Sequence, residues 1–83
     1  MVMVDVEVPA LDRIYDFELD EEVDVRELTD TMVLLIVQNE KPGFEAKGQE
    51  ELHLYALRQG KVLNSRMTLK QQGVQSGDGL VLI

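Results

Sequence analysis

The sequence has no cysteine, which excludes disulfides, thiolate zinc sites and thiol nucleophiles, and gives no support to a secreted, cross-linked scaffold. A reducing cytoplasm is the expected compartment. Basic residues are scarce, eight against sixteen acids, for a net charge of −8. The imbalance is concentrated: residues 1–30 hold eleven acids against Arg13 and Arg26, whereas residues 31–83 are nearly balanced. Such an acidic front repels nucleic acid and anionic lipid, so neither is expected as a partner. No apolar run approaches the roughly 18 residues of a membrane span. The N-terminus alternates valine with acids instead of placing a basic patch before an apolar stretch, so neither a signal peptide nor direct membrane insertion is expected.

What remains is a chain of 83 residues, 45% apolar and without low-complexity tracts, enough to offset the entropy of folding. It reads as one domain over residues 1–83, with room for one layer of helix on one sheet.

Val2, Val4, Val6 and Val8 alternate with Met3, Asp5 and Glu7, a period of two that marks a half-buried strand ended by Pro9. After a turn near Ala10–Arg13, Tyr15, Phe17 and Leu19 alternate with Asp16, Glu18 and Asp20 as the second arm of a hairpin. Asp24, with Glu27 three residues on, has the spacing of a helix start. Val25, Leu28, Met32, Leu35 and Ile36 fall on one helical stripe, which Lys41-Pro42-Gly43 breaks. Residues 40–50 read as a connecting loop. Leu52, Leu54 and Ala56 then alternate with His53, Tyr55 and Leu57 as a third strand running to a turn at Gln59-Gly60. Val62-Leu63 forms a short fourth strand, Thr68 to Gln71 is a second capping box opening a helical turn that Gly73 closes, and Leu80 to Ile83 is the last strand.

The order is ββαββ, a short helix, then β: an α+β chain with one helix packed on a mixed sheet. With the pattern G-K-x-L-x(5)-L-x(4)-V-x(5)-L-x-L from Gly60 to Leu82, it resembles ubiquitin and its β-grasp fold. The acidic short form, the Gly77-Asp78-Gly79-Leu80 turn and the hydrophobic last residue are similar to the YukD/EsaB family of bacterial ubiquitin-like proteins. That resemblance implies a small cytoplasmic accessory of a type VII (WXG100, Esx-type) secretion system. Ubiquitin and the sulfur carriers of this fold use an exposed terminal Gly-Gly, whereas this sequence reaches Ile83 within or at the end of a strand. Conjugation through that residue is not expected.

The chemistry a catalyst would need is thin. His53 is the single histidine and lies on the strand face opposite Leu52 and Leu54, without a cysteine or second histidine to complete a metal site. The acids Asp16, Glu18, Asp20, Glu21, Glu22 and Asp24 lack the spacing and central glycine of a calcium loop and read as a solvated, partner-steering face. Gly77-Asp78-Gly79 precedes a strand rather than a helix and reads as a turn, not a phosphate cradle. Ser65 and Ser76 have no base in their own segments. No enzyme activity, metal or cofactor is expected.

Surplus apolar surface is more informative. If Leu52, Leu54, Leu80 and Leu82 face the helix, alternation turns Tyr55, Leu57, Val81 and Ile83 to the other side of the sheet, with His53 beside them. The resemblance places the last strand between the first and third, so these side chains would merge into one patch, and Leu57, Val81 and Ile83 match ubiquitin's hydrophobic recognition patch. Contiguous apolar area of this kind often marks an interaction site, although scattered apolar residues on a surface are ordinary. Leu34, pointing away from the helix stripe, and Val37 on its flank form a weaker second surface, which self-association or loop packing would explain equally well. The expected function is non-covalent protein binding, with a cytoplasmic protein recruited to a membrane-bound secretion complex. The competing readings are a covalent modifier or sulfur carrier, and a ubiquitin-like module excised from a larger protein.

Overall fold

Every second residue of the N-terminal segment is buried: Val2, Val4, Val6 and Val8 lie inside while Met3, Asp5 and Glu7 lie outside. This alternation, with its β-branched valines, builds strand β1 (Val2–Val8) in the computed structural model, which describes residues 1–39 and 52–83. A single 3-10 turn at Pro9–Leu11, closed by Asp12 in a left-handed conformation, reverses the chain into β2 (Arg13–Leu19). The two strands pair antiparallel without a break from Val2–Leu19 to Val8–Arg13.

Helix α1 (Val25–Asn39) starts where the sequence places it. The N–H groups of a first helical turn have no partners within the helix. Here they are all taken: Val25 and Arg26 donate to the carbonyls of Met67 and Ser65 at 2.9 Å, and Glu27 donates to Asp24 Oδ1 at 3.1 Å. The helix is thereby tied at its start to the segment after the fourth strand. Thr29, buried within it, donates its hydroxyl to the Val25 carbonyl at 2.8 Å and leaves no unpaired polar atom. The buried stripe is Val25, Leu28, Thr29, Met32, Val33 and Ile36; Leu35, expected in it, is 43% exposed. The burial centre lies over Val25, Met32 and Ile36, which leaves Leu35 on the rim and brings Val33 inside. The expected loop at 40–50 and its breaker Lys41-Pro42-Gly43 lie outside the described residues.

The remaining strands are short: β3 (Leu54–Ala56), β4 (Lys61–Val62) and β5 (Gly79–Leu82). The sheet runs in the order β2-β1-β5-β3-β4, with β1 and β5 parallel at its centre and every other pair antiparallel. Between β4 and β5 the capping box is formed in full. Thr68 N–H donates to Gln71 Oε1 at 2.9 Å and Gln71 N–H donates to Thr68 Oγ1 at 3.0 Å. Gly73 closes the segment at φ +76°, but residues 69–73 form consecutive turns rather than a helix. The pattern residues Leu63, Leu69, Val74, Leu80 and Leu82 are all buried, completing a core between α1 and the inner sheet face.

Candidate functional site

The outer face of the sheet can be read in rows from the strand registers. Tyr55 is paired with Val81 on one side and Val62 on the other, and Val81 with Glu7, which faces Ile14. One row therefore runs Ile14, Glu7, Val81, Tyr55, Val62. The next holds Asp16, Asp5, Gly79 and Leu57, since Leu57 N–H donates to the Gly79 carbonyl at 3.1 Å. On the other side of the first row, His53 and Ile83 exchange both backbone hydrogen bonds, extending the β3–β5 ladder.

The registers thus bring Tyr55, Leu57, Val81 and Ile83 onto one face of two neighbouring strands, with His53 paired to Ile83 through the backbone just before β3, where the sheet also meets α1. Leu57 and Ile83 are 55% and 51% exposed, with Val81 and Tyr55 half-buried between them. Val62, 50% exposed beside Tyr55, joins them and was not among the expected residues. Its signal was available: once Leu63 is assigned to the core, alternation turns Val62 outward. Gly79 also matters here, because a side chain at that position would meet Leu57 Cδ1 at 3.0 Å; the missing side chain is what lets Leu57 lie down across β5. Leu34 and Val37 are exposed on α1, in the other layer, and do not join this surface.

One edge of the patch is braced by an ion pair. Arg58 donates from Nε to Asp78 Oδ1 and from Nη2 to Asp78 Oδ2, both at 2.9 Å, and from Nη2 to the Gly73 carbonyl at 2.8 Å. Asp78 Oδ2 also accepts the Gln75 N–H at 2.9 Å. The Arg58 guanidinium, followed by that backbone bond, holds the Asp78 carboxyl below the usual range. The turn that launches β5 is fixed in this way. On β1 the opposite holds: Asp5 stands directly across from Asp16, and hydrogen bonding to that carboxyl together with its charge pushes the Asp5 pKa up.

His53 and Ser65, expected in unconnected segments, line a common cleft of about 370 Å³ with Thr29 and Asp30 of α1. Among the described residues no hydrogen bond joins the two side chains, and no three His, Asp or Glu residues converge as metal ligands would.

A family model described as WXG100 protein secretion system (Wss), protein YukD, matches residues 3–82. The chain belongs to the YukD family. No curated protein sequence matches it. Among solved structures it is similar to the EccD5 ubiquitin-like domain from Mycobacterium xenopi, at 23% identity over 99% of this chain and 91% of that one, with a TM-score of 0.78. It is similar also to a ubiquitin-like domain of an Arabidopsis thaliana protein (19% identity, 99% and 74% covered, TM-score 0.73). The ubiquitin of Caldiarchaeum subterraneum superposes with a TM-score of 0.71 at 17% identity, with 99% and 90% covered. These likenesses show that this YukD-family chain has the ubiquitin-like β-grasp fold, as its element order implied.

Proposed function

We propose that this YukD-family chain is a non-covalent binding module of the WXG100 secretion system, without catalytic chemistry of its own, acting in the cytoplasm and docking through the outer face of β5, β3 and β4. One observation carries the reading: Leu57, Val62 and Ile83, each about half exposed, are joined through Val81 and Tyr55 into continuous apolar surface on strands held rigidly by the sheet. Buried apolar and aromatic anchors hold interfaces together, and a rigid display lowers the entropy lost on docking. The family description supplies the setting, and the acids of β1 and β2 beside the patch would orient an approaching partner and raise its encounter rate.

The test is a Leu57→Ser/Val81→Ser double variant. Far-UV dichroism should be unchanged and melting nearly so, while affinity for the purified cytoplasmic components of the secretion system falls by about tenfold or more. Undiminished binding by a folded double variant would remove the patch from the account.

A further inference from the structure

The sheet has two edges, and they are unequal. At one end β4 is two residues long, too short to template another strand. At the other, β2 runs seven residues in unbroken register, without a proline or a bulge.

The hydrogen bonds of β1 fix which backbone groups of β2 are free. Asp5 N–H donates to the Asp78 carbonyl, Met3 N–H donates to Ser76 Oγ, and the Met3 carbonyl accepts from Gly77 N–H at 2.8 Å. Met3 and Asp5 therefore direct their backbone groups toward β5, leaving Val2, Val4, Val6 and Val8 to bond with β2. In an antiparallel pair, the residues opposite Met3, Asp5 and Glu7 must then point their own groups the other way. These are Glu18, Asp16 and Ile14, whose N–H and C=O groups face the open edge. Among the described residues nothing pairs with them.

The side chains of β2 define what could pair there. On the outer face stand Ile14, Asp16 and Glu18, all exposed, with the acids Asp5 and Glu7 behind them on β1. On the inner face Tyr15 and Phe17, ring centroids 6.1 Å apart, pack on the core rim and remain half-exposed. A strand laid along this edge would set alternate side chains beside carboxylates and beside aromatic rings. A second copy of β2 fits poorly, because pairing β2 with itself brings Asp16 and Glu18 toward their own kind, and like charges directly opposite are destabilising.

We propose that the open edge of β2 takes up an extended segment of a protein partner as an added strand, one that alternates basic with apolar residues. Main-chain bonds to Ile14, Asp16 and Glu18 give the affinity, and the two faces read the alternation. This surface is separate from the β5–β3–β4 patch and stands or falls independently of it.

The experiment titrates the isotopically labelled full chain with three nine-residue peptides: alternating Lys and Val, the same composition in blocks, and alternating Glu and Val. The alternating Lys/Val peptide should bind at least about tenfold more tightly than the other two, shift the amides of Ile14, Asp16 and Glu18, and slow their exchange with solvent. A folded Asp16→Lys/Glu18→Lys variant should reverse the preference toward the Glu/Val peptide. The Leu57→Ser/Val81→Ser variant should bind the Lys/Val peptide as the unaltered chain does. Equal binding of the block peptide, which is plain charge attraction, would overturn the proposal. So would shifts confined to β3 and β5, dimerisation through β2 in sedimentation, or no binding at millimolar peptide.

Discussion

Asp16 and Asp5 stand side by side in one row of the outer sheet face, and further along the same row Gly79 and Leu57 take their places. The inner faces of the same strands show no such contrast: Val4 and Val6 on β1, Leu80 and Leu82 on β5 and Leu54 on β3 are all apolar and buried. Folding dictates the inward residues of every strand because the helix must be covered. It leaves the outward ones open, and there the molecule diverges into a carboxylate half that strains against itself and an apolar half that water covers poorly. Neither serves the stability of the isolated chain, so the outer face is where partner chemistry can be read.

Adjacent residues give the sharpest test of that division. Leu80 is fully buried between Val6 and Ala56, whereas Val81 lies half-buried on the opposite face. Leu80→Ala should lower unfolding free energy in urea by about 2–5 kcal/mol, and Val81→Ser by less than about 1 kcal/mol. If the two cost the same, the apolar half belongs to the core and the docking proposal loses its free surface.

A smaller effect is expected where the two halves meet, at the turn before β5. Asp78→Ala removes the acceptor for Arg58 and Gln75 and should lower the melting temperature by several degrees, about 4–8 °C for each kcal/mol in a domain this small. Its pH dependence has a definite sign. The Arg58 guanidinium, followed by the Gln75 N–H, holds the folded pKa below the ordinary carboxylate range, so the carboxylate's contribution is fully present above that range and lost as pH falls through the folded value. Melting curves of the two proteins should stay apart from pH 5 to 8 and converge in stronger acid. A gap that persists in acid would mean that the turn owes its stability to something other than the ionised pair.

The core was legible because period-two valines and leucines admit one inward face, and because the spacing from Leu63 to Leu82 resembles ubiquitin's. Both capping pairs were legible too, since Asp24 and Thr68 each accept the N–H three positions on, although only Asp24 opens a helix. Leu35 and Val33 were exchanged because a stripe drawn through leucines ignores where the helix axis sits over the sheet. The capping box after β4 implies a helical turn where the structure has consecutive turns, because nothing local discloses Gln72, whose amide donates to the carbonyls of Asn64 and Thr68 and accepts the Asn64 N–H. That side chain draws residues 64–72 together and holds them as turns. The rows of the outer face needed the registers, which alternation does not supply: it shows that Asp5 and Asp16 face outward, not that they face each other. The open groups at Ile14, Asp16 and Glu18 were hidden for the same reason, since they follow from the bonds of Met3 and Asp5 to the distant turn at 76–78.

The smallest expected change lies in the acidic half and has the opposite sign. Asp5 has a raised pKa, from the hydrogen bond and the charge of Asp16. When a folded carboxyl titrates above its unfolded value, the penalty for ionising it is fully present above the folded pKa and relieved as pH falls through it. Asp5→Asn should therefore raise the melting temperature at pH 7, by about a degree or two, and give no gain once Asp5 is protonated in the unaltered chain. Melting at pH 7 and pH 3 measures both. A variant less stable at pH 7 would show that the facing carboxyls support the sheet, and Asp5 would then need no partner to account for it. The expected gain would show instead that the chain keeps a carboxylate where an amide folds better, which is how a charge held for an incoming basic strand should behave.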